Sequence, residues 1–149
     1  MTTEQAADEQ TGIIIVTHMD YGSSLLRAAE CIAGPVQDCT CIQVDSSLEV
    51  GETVSRLKEA VDRLSNGKGV LVLTDMFGGT PTNLSLSLLG SRADVEVLTG
   101  VNLPMLLRVL SNRKLALAEM AELALKAGCE GIIAAGKILR NKMEDKKEL

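Results

Sequence analysis

The sequence predicts an α/β fold: a mostly parallel open sheet, helices on both faces, and an antiparallel last strand. Two observations carry this. Short, continuous β-branched or aliphatic runs such as GIIIVT (12–17) and GVLVLT (69–74) read as strands buried on both faces. These runs alternate with longer segments whose apolar residues recur at helical spacing, and such alternation gives parallel strands joined by crossover helices.

Taken in order, the polar, acidic residues 1–11 lack periodicity and read as a disordered tail. After the first strand, SSLLRAAECIAG (23–34) reads as a helix, with Ser23 or Ser24 at its start and Gly34-Pro35 as its stop. TCIQV (40–44) is a second strand. Residues 50–67 form a helix with Val54, Leu57, Val61 and Leu64 on one face, and Asn66-Gly67 end it. GVLVLT is the third strand. TPTNLSLSLLG (80–90) opens a helix, with Thr80 as cap and Pro81 in the first position. DVEVLT (94–99) is the fourth strand, and 102–112 and 115–128 are helices. EGIIAAG (130–136) reads as the last, antiparallel edge strand, and 137–149 as a charged tail or frayed element. One domain over 12–136 results.

Composition narrows the function. The chain is 46% hydrophobic with one Tyr, one Phe and no Trp, so its core is aliphatic. A net charge of −5 argues against nucleic acid and anionic membrane as partners. No apolar run is long enough to span a bilayer, and the first ten residues do not read as a secretion signal, so a cytoplasmic protein is expected. Cys39 and Cys41 lie within a strand-like stretch, and with a single histidine in the chain neither a metal site nor a cofactor is expected. Walker, dinucleotide-binding and serine-elbow motifs are absent.

In an open α/β sheet, ligands gather at the carboxyl ends of the strands, where strand order reverses. Two segments fall there: Thr17-His18 after the first strand and DMFGGTP (75–81) after the third. If the second and third strands flank the first, His18 faces Asp75. A carboxylate on one ring nitrogen fixes the tautomer and leaves the other as a nucleophile. Gly78 and Gly79 permit close backbone approach, the helix start at Thr80 offers free N–H groups, and Thr17 and Thr80 add hydroxyls. These parts suit phosphoryl transfer. Taken singly, each has an ordinary structural use, and only their joint placement points to chemistry.

At these residues the sequence resembles the IIA component of the mannose and fructose type of the bacterial sugar phosphotransferase system. The matching pieces are IIIVTH (13–18), LLRAAECIAG (25–34), GVLVLTDMFGGTPTNLSL (69–86) and TGVNLPMLLRVL (99–110). The resemblance implies that His18 is phosphorylated, that Asp75 is its hydrogen-bond partner and that Thr80 lies in the phosphate pocket. It implies the phosphohistidine carrier HPr as donor, a IIB component as acceptor, and a homodimer that exchanges the last strand. The family has Gly after the active histidine, where this chain has Met19 followed by Asp20. Other readings are a regulatory or degenerate module without a transport role, and the phosphoryl-donor subunit of a dihydroxyacetone kinase.

Overall fold

The computed structural model describes residues 9–147. The expected tail therefore lies outside the described residues as far as residue 8. Among the described residues the sheet has four strands: β1 (Gly12–His18), β2 (Cys39–Val44), β3 (Val70–Thr74) and β4 (Val95–Thr99). Their order is β2-β1-β3-β4, and every pair is parallel. The chain steps from β1 outward to β2, then returns to place β3 on the other side of β1. The reversal point thus falls between β1 and β3.

Side chains alternate across a strand, so β1 and β3 feed two cores. Ile13, Ile15, Leu71 and Leu73 point to one face and pack on α1 (Tyr21–Ala33), α4 (Leu103–Leu110) and α5 (Leu117–Glu130). Ile14, Val16, Val70 and Val72 point to the other, where α2 (Val50–Leu64) supplies Leu57, Val61 and Leu64. The short α3 (Thr80–Leu86) lies beyond β3, with Leu88 just after it in the second core. Burial on both faces explains why β1 and β3 carry no alternating polar residues.

The expected edge strand over 130–136 does not form. Glu130 ends α5, and Ala135–Asp145 form α6. Ile132 and Ile133 are exposed and, among the described residues, belong to no strand. From Ala134 onward the residues are mostly good helix formers, and an unpaired strand there has no ladder hydrogen bonds to compete with them. The expected tail over 137–149 is accordingly helical to Asp145, and its last two residues lie outside the described ones.

The amino-terminal boundary also moves. Thr11, placed in the tail by its polar neighbours, is fully buried. Its N–H donates to the Arg113 carbonyl (2.9 Å), and its own carbonyl accepts from Arg113 Nε (2.8 Å). The same guanidinium donates to the carbonyls of Gln37 and Asp38. Arg113 thereby ties together the approaches to β1 and β2, and its buried charge is met by three backbone oxygens.

Candidate functional site

β1 and β3 are in register with Val16 opposite Thr74, so the residues that follow, His18 and Asp75, emerge side by side at the carboxyl edge. Asp75 Oδ2 accepts two hydrogen bonds from one residue: the backbone N–H of His18 at 2.8 Å and its ring Nδ1 at 2.7 Å. Asp75 Oδ1 accepts the Met76 N–H at 2.9 Å. The carboxylate is mostly covered, whereas the imidazole is about half exposed (13% and 46%). Partial burial pushes the Asp75 carboxyl up. The hydrogen bonds from His18 and Met76, with the proximity of the imidazole, outweigh it and hold the group below its ordinary value. An ionised Asp75 can only accept, so Nδ1 carries a proton and, in the neutral ring, the lone pair is on Nε2.

The loop after β3 shapes the space around the ring. Gly78 has φ +82°, a left-handed conformation that side chains disfavour. At Gly79 the backbone is ordinary, but a Cβ would sit 2.9 Å from His18 Cε1. Gly79, not Thr80, precedes α3 as its N-cap; Thr80 is the first helical residue and Pro81 the second. The Thr80 side chain, exposed and not used as a cap, lines a cavity of about 310 Å³ shared with His18.

Thr17 departs from its expected place. It is buried, and its hydroxyl oxygen accepts the Gly22 N–H at 2.8 Å. The strand period of two turns it away from the side that His18 faces, and it satisfies an early N–H of α1. The geometry brings His18, Asp75, Gly79 and Thr80 together, with Gly78 in the same loop, and leaves Thr17 out.

Three further residues support the site. Thr82 is buried and donates to the Met76 carbonyl (2.6 Å) while its hydroxyl also meets that of Thr74 (2.7 Å), pinning the loop that bears Asp75. Tyr21 Oη donates to the Val101 carbonyl at 3.0 Å, and the Val101 N–H donates to the Thr74 carbonyl. Asn102 caps α4 by accepting the Met105 N–H. The GVN turn thus ties the end of β3 to the start of α1. Met19 keeps a left-handed conformation (φ +49°) with its N–H on the Val44 carbonyl. This is the geometry a glycine would adopt most easily.

A larger cavity, about 710 Å³, lies at the opposite, amino-terminal edge beside Arg113. The guanidinium there is committed to backbone carbonyls, and the reactive groups described above lie at the other end of the sheet.

Among the described residues no helix is long and apolar enough to cross a membrane. The family model described as PTS system fructose IIA component matches residues 12–127. The chain is 31% identical over 124 residues to the PTS system mannose-specific EIIAB component of Escherichia coli (strain K12), covering 82% of this chain and 38% of that protein. It therefore spans well under half the length of that relative. It is 30% identical over 109 residues to the PTS system fructose-specific EIIA component of Bacillus subtilis (strain 168), covering 72% and 75% of the two chains. The crystal structure of phosphotransferase system component EIIA from Streptococcus agalactiae superposes with a TM-score of 0.78 at 29% identity, over 85% of this chain and 98% of that one. The family model spans most of the chain and these relatives agree with it, so the chain belongs to the EIIA-man family, that of the PTS system fructose IIA component.

Proposed function

We propose that this chain is a cytoplasmic phosphoryl carrier that accepts a phosphoryl group on His18 Nε2 from phospho-HPr and passes it to a IIB component for sugar uptake. The observation that carries this reading is the 2.7 Å contact between His18 Nδ1 and Asp75 Oδ2, which orients a half-exposed ring and, in its neutral form, leaves the lone pair on Nε2.

In the proposed step, the Nε2 lone pair forms a bond to phosphorus as the N–P bond of the donor's phosphohistidine breaks. The bonding electrons return to the donor's ring nitrogen. The Nδ1 proton stays on His18, and the ionised Asp75 offsets the positive charge that grows on the ring. The phosphoryl oxygens then need donors. Gly78 leaves the loop backbone open, the Thr80 N–H at the start of α3 has no intrahelical acceptor, and Thr80 offers its hydroxyl. The reverse sequence of bond changes delivers the group to the acceptor. The exposed Ile132, Ile133, Ile138, Leu139 and Met143 support a homodimer as the working form.

Phosphoryl transfer from phosphoenolpyruvate through enzyme I and HPr to this chain and to His18→Ala tests the reading. An acid-labile label on the wild type and none on the variant is expected. A folded wild type that stays unlabelled while HPr is labelled would refute the carrier role.

A further inference from the structure

The loop between β3 and α3 carries the aspartate that orients His18, yet its side chains do not pack it in place. Met76 is 57% exposed and Phe77 78%, and the next two residues are glycines. Paired glycines also leave the backbone free to take other conformations. What holds the loop is hydrogen bonding to Met76. Its N–H donates to Asp75 Oδ1 at 2.9 Å, and its carbonyl accepts the Thr82 hydroxyl at 2.6 Å. The Gly79 N–H reaches the same carbonyl only at 3.4 Å. Thr82 lies in the first turn of α3 and is 1% exposed, so water does not compete for its hydroxyl.

The direction of the hydroxyl network follows from its protons. A carbonyl only accepts, so the single Thr82 proton goes to Met76. Thr82 then accepts from Thr74, whose buried hydroxyl is 2.7 Å away, and its remaining lone pair meets the Thr99 hydroxyl at 3.4 Å. Thr74 and Thr99 are the register-paired last residues of β3 and β4, so two strand ends converge on Thr82. Resting on the carrier reading above, we infer that Thr82 is a positioning residue for phosphoryl transfer: its hydroxyl holds Met76, Met76 holds the Asp75 carboxylate, and the carboxylate holds His18 Nδ1. Thr82 touches no reacting atom. Without its hydroxyl, Met76 shifts and takes Asp75 Oδ1 with it. Oδ2 then leaves the line of Nδ1, and the neutral ring loses its preference for the proton on Nδ1.

Thr82→Val keeps the shape and removes the hydroxyl, and Thr82→Ser keeps the hydroxyl. For transfer from phospho-HPr, Thr82→Val should lower kcat about tenfold with KM changed less than about twofold, because the nucleophile is misaligned and the docking surface is not. Thr82→Ser should restore most of the rate. In the Asp75→Asn background Thr82→Val should cost less than about twofold more, since the link it acts through is already broken. A full further loss there, or a raised KM with kcat unchanged, would overturn the inference. Long-range ¹H–¹⁵N spectra of the unphosphorylated protein at about pH 9, where an imidazole is neutral, read the tautomer without any donor. The proton should sit on Nδ1 in wild type and Thr82→Ser, and be shared with Nε2 in Thr82→Val and in Thr82→Ala, a second variant without the hydroxyl. An unchanged tautomer in both hydroxyl-free variants would overturn the positioning role. A folded wild type that takes no label, with the tautomer still shifting in Thr82→Val, would remove the carrier reading and uphold the hold of Thr82 on the ring.

Discussion

His18 gives both its backbone N–H and its ring Nδ1 to a single oxygen of Asp75, at 2.8 and 2.7 Å. The backbone bond fixes where the strand end sits, and the ring bond fixes which way the imidazole turns. Asp75→Asn keeps the shape but removes the charge, and its amide can present a donor to Nδ1 and so favour the wrong tautomer. A hydrogen bond to a charged group contributes about 1.5–3 kcal/mol. Transfer to Asp75→Asn should therefore fall by about 10- to 100-fold, read as the rate of label uptake from phospho-HPr.

The same bonds have a pH signature. Asp75 is held below its ordinary value of 3.8, so its folded form binds the proton more weakly than the unfolded chain does. Its contribution to stability is fully present above that value and is lost as pH falls through the lower folded value. Urea unfolding of wild type and Asp75→Asn should show a gap at pH 7 that narrows below pH 4. A gap that widens on acidification would contradict the assignment.

Gly79 separates site geometry from fold. Its φ of −79° suits any residue, but an added Cβ would stand 2.9 Å from His18 Cε1. Gly79→Ala should fold with a melting temperature within a few degrees of wild type, because the ring can swing outward. The same swing lengthens the Nδ1–Asp75 bond and misplaces Nε2. A shift of about 1 Å can cost about 100-fold in rate, and transfer assays should show a loss of that order.

Much of this arrangement is readable from local sequence. GIIIV and VLVLT are unbroken apolar runs, so both strands are recognisable, and the chemistry-bearing residues follow them directly. What is not readable depends on distant partners. Thr17 looks like a phosphate donor because it adjoins His18, yet the strand period sends it to the opposite side. Thr11 looks like tail, but Arg113, far along the chain, reaches its carbonyl. Ile132 and Ile133 resemble a strand, and pairing depends on a neighbouring edge that no local residue specifies. The left-handed conformation of Met19 shows up only when the turn is seen folded.

The cysteines should divide into two classes. Burial pushes Cys39 up to about 12 and Cys41 to about 11, whereas Cys31 and Cys129 are exposed. Thiolate is the reactive form, so at pH 8 the two strand cysteines should react with Ellman's reagent about 100-fold more slowly than the other two. Two fast thiols in the folded protein and four in urea are the expected counts. Four fast thiols at once would show that β2 is open at its edge.

The exposed apolar residues after α5 bear on assembly. Ile132 is 80% exposed and Ile133 61%. If these residues are covered in a homodimer, the pair Ile132→Asp and Ile133→Asp should convert the protein from dimer to monomer in light scattering, with its helix content kept. A monomeric wild type at working concentration would remove the proposed dimer.

The central claim is that Asp75 holds Nδ1 and leaves Nε2 to take the phosphoryl group. Long-range ¹H–¹⁵N spectra of the phosphorylated, ¹⁵N-labelled protein identify the substituted ring nitrogen directly. The account predicts phosphorus on Nε2 of His18, with the Nδ1 proton retained against Asp75. Phosphorus on Nδ1, or on any residue other than His18, would contradict it.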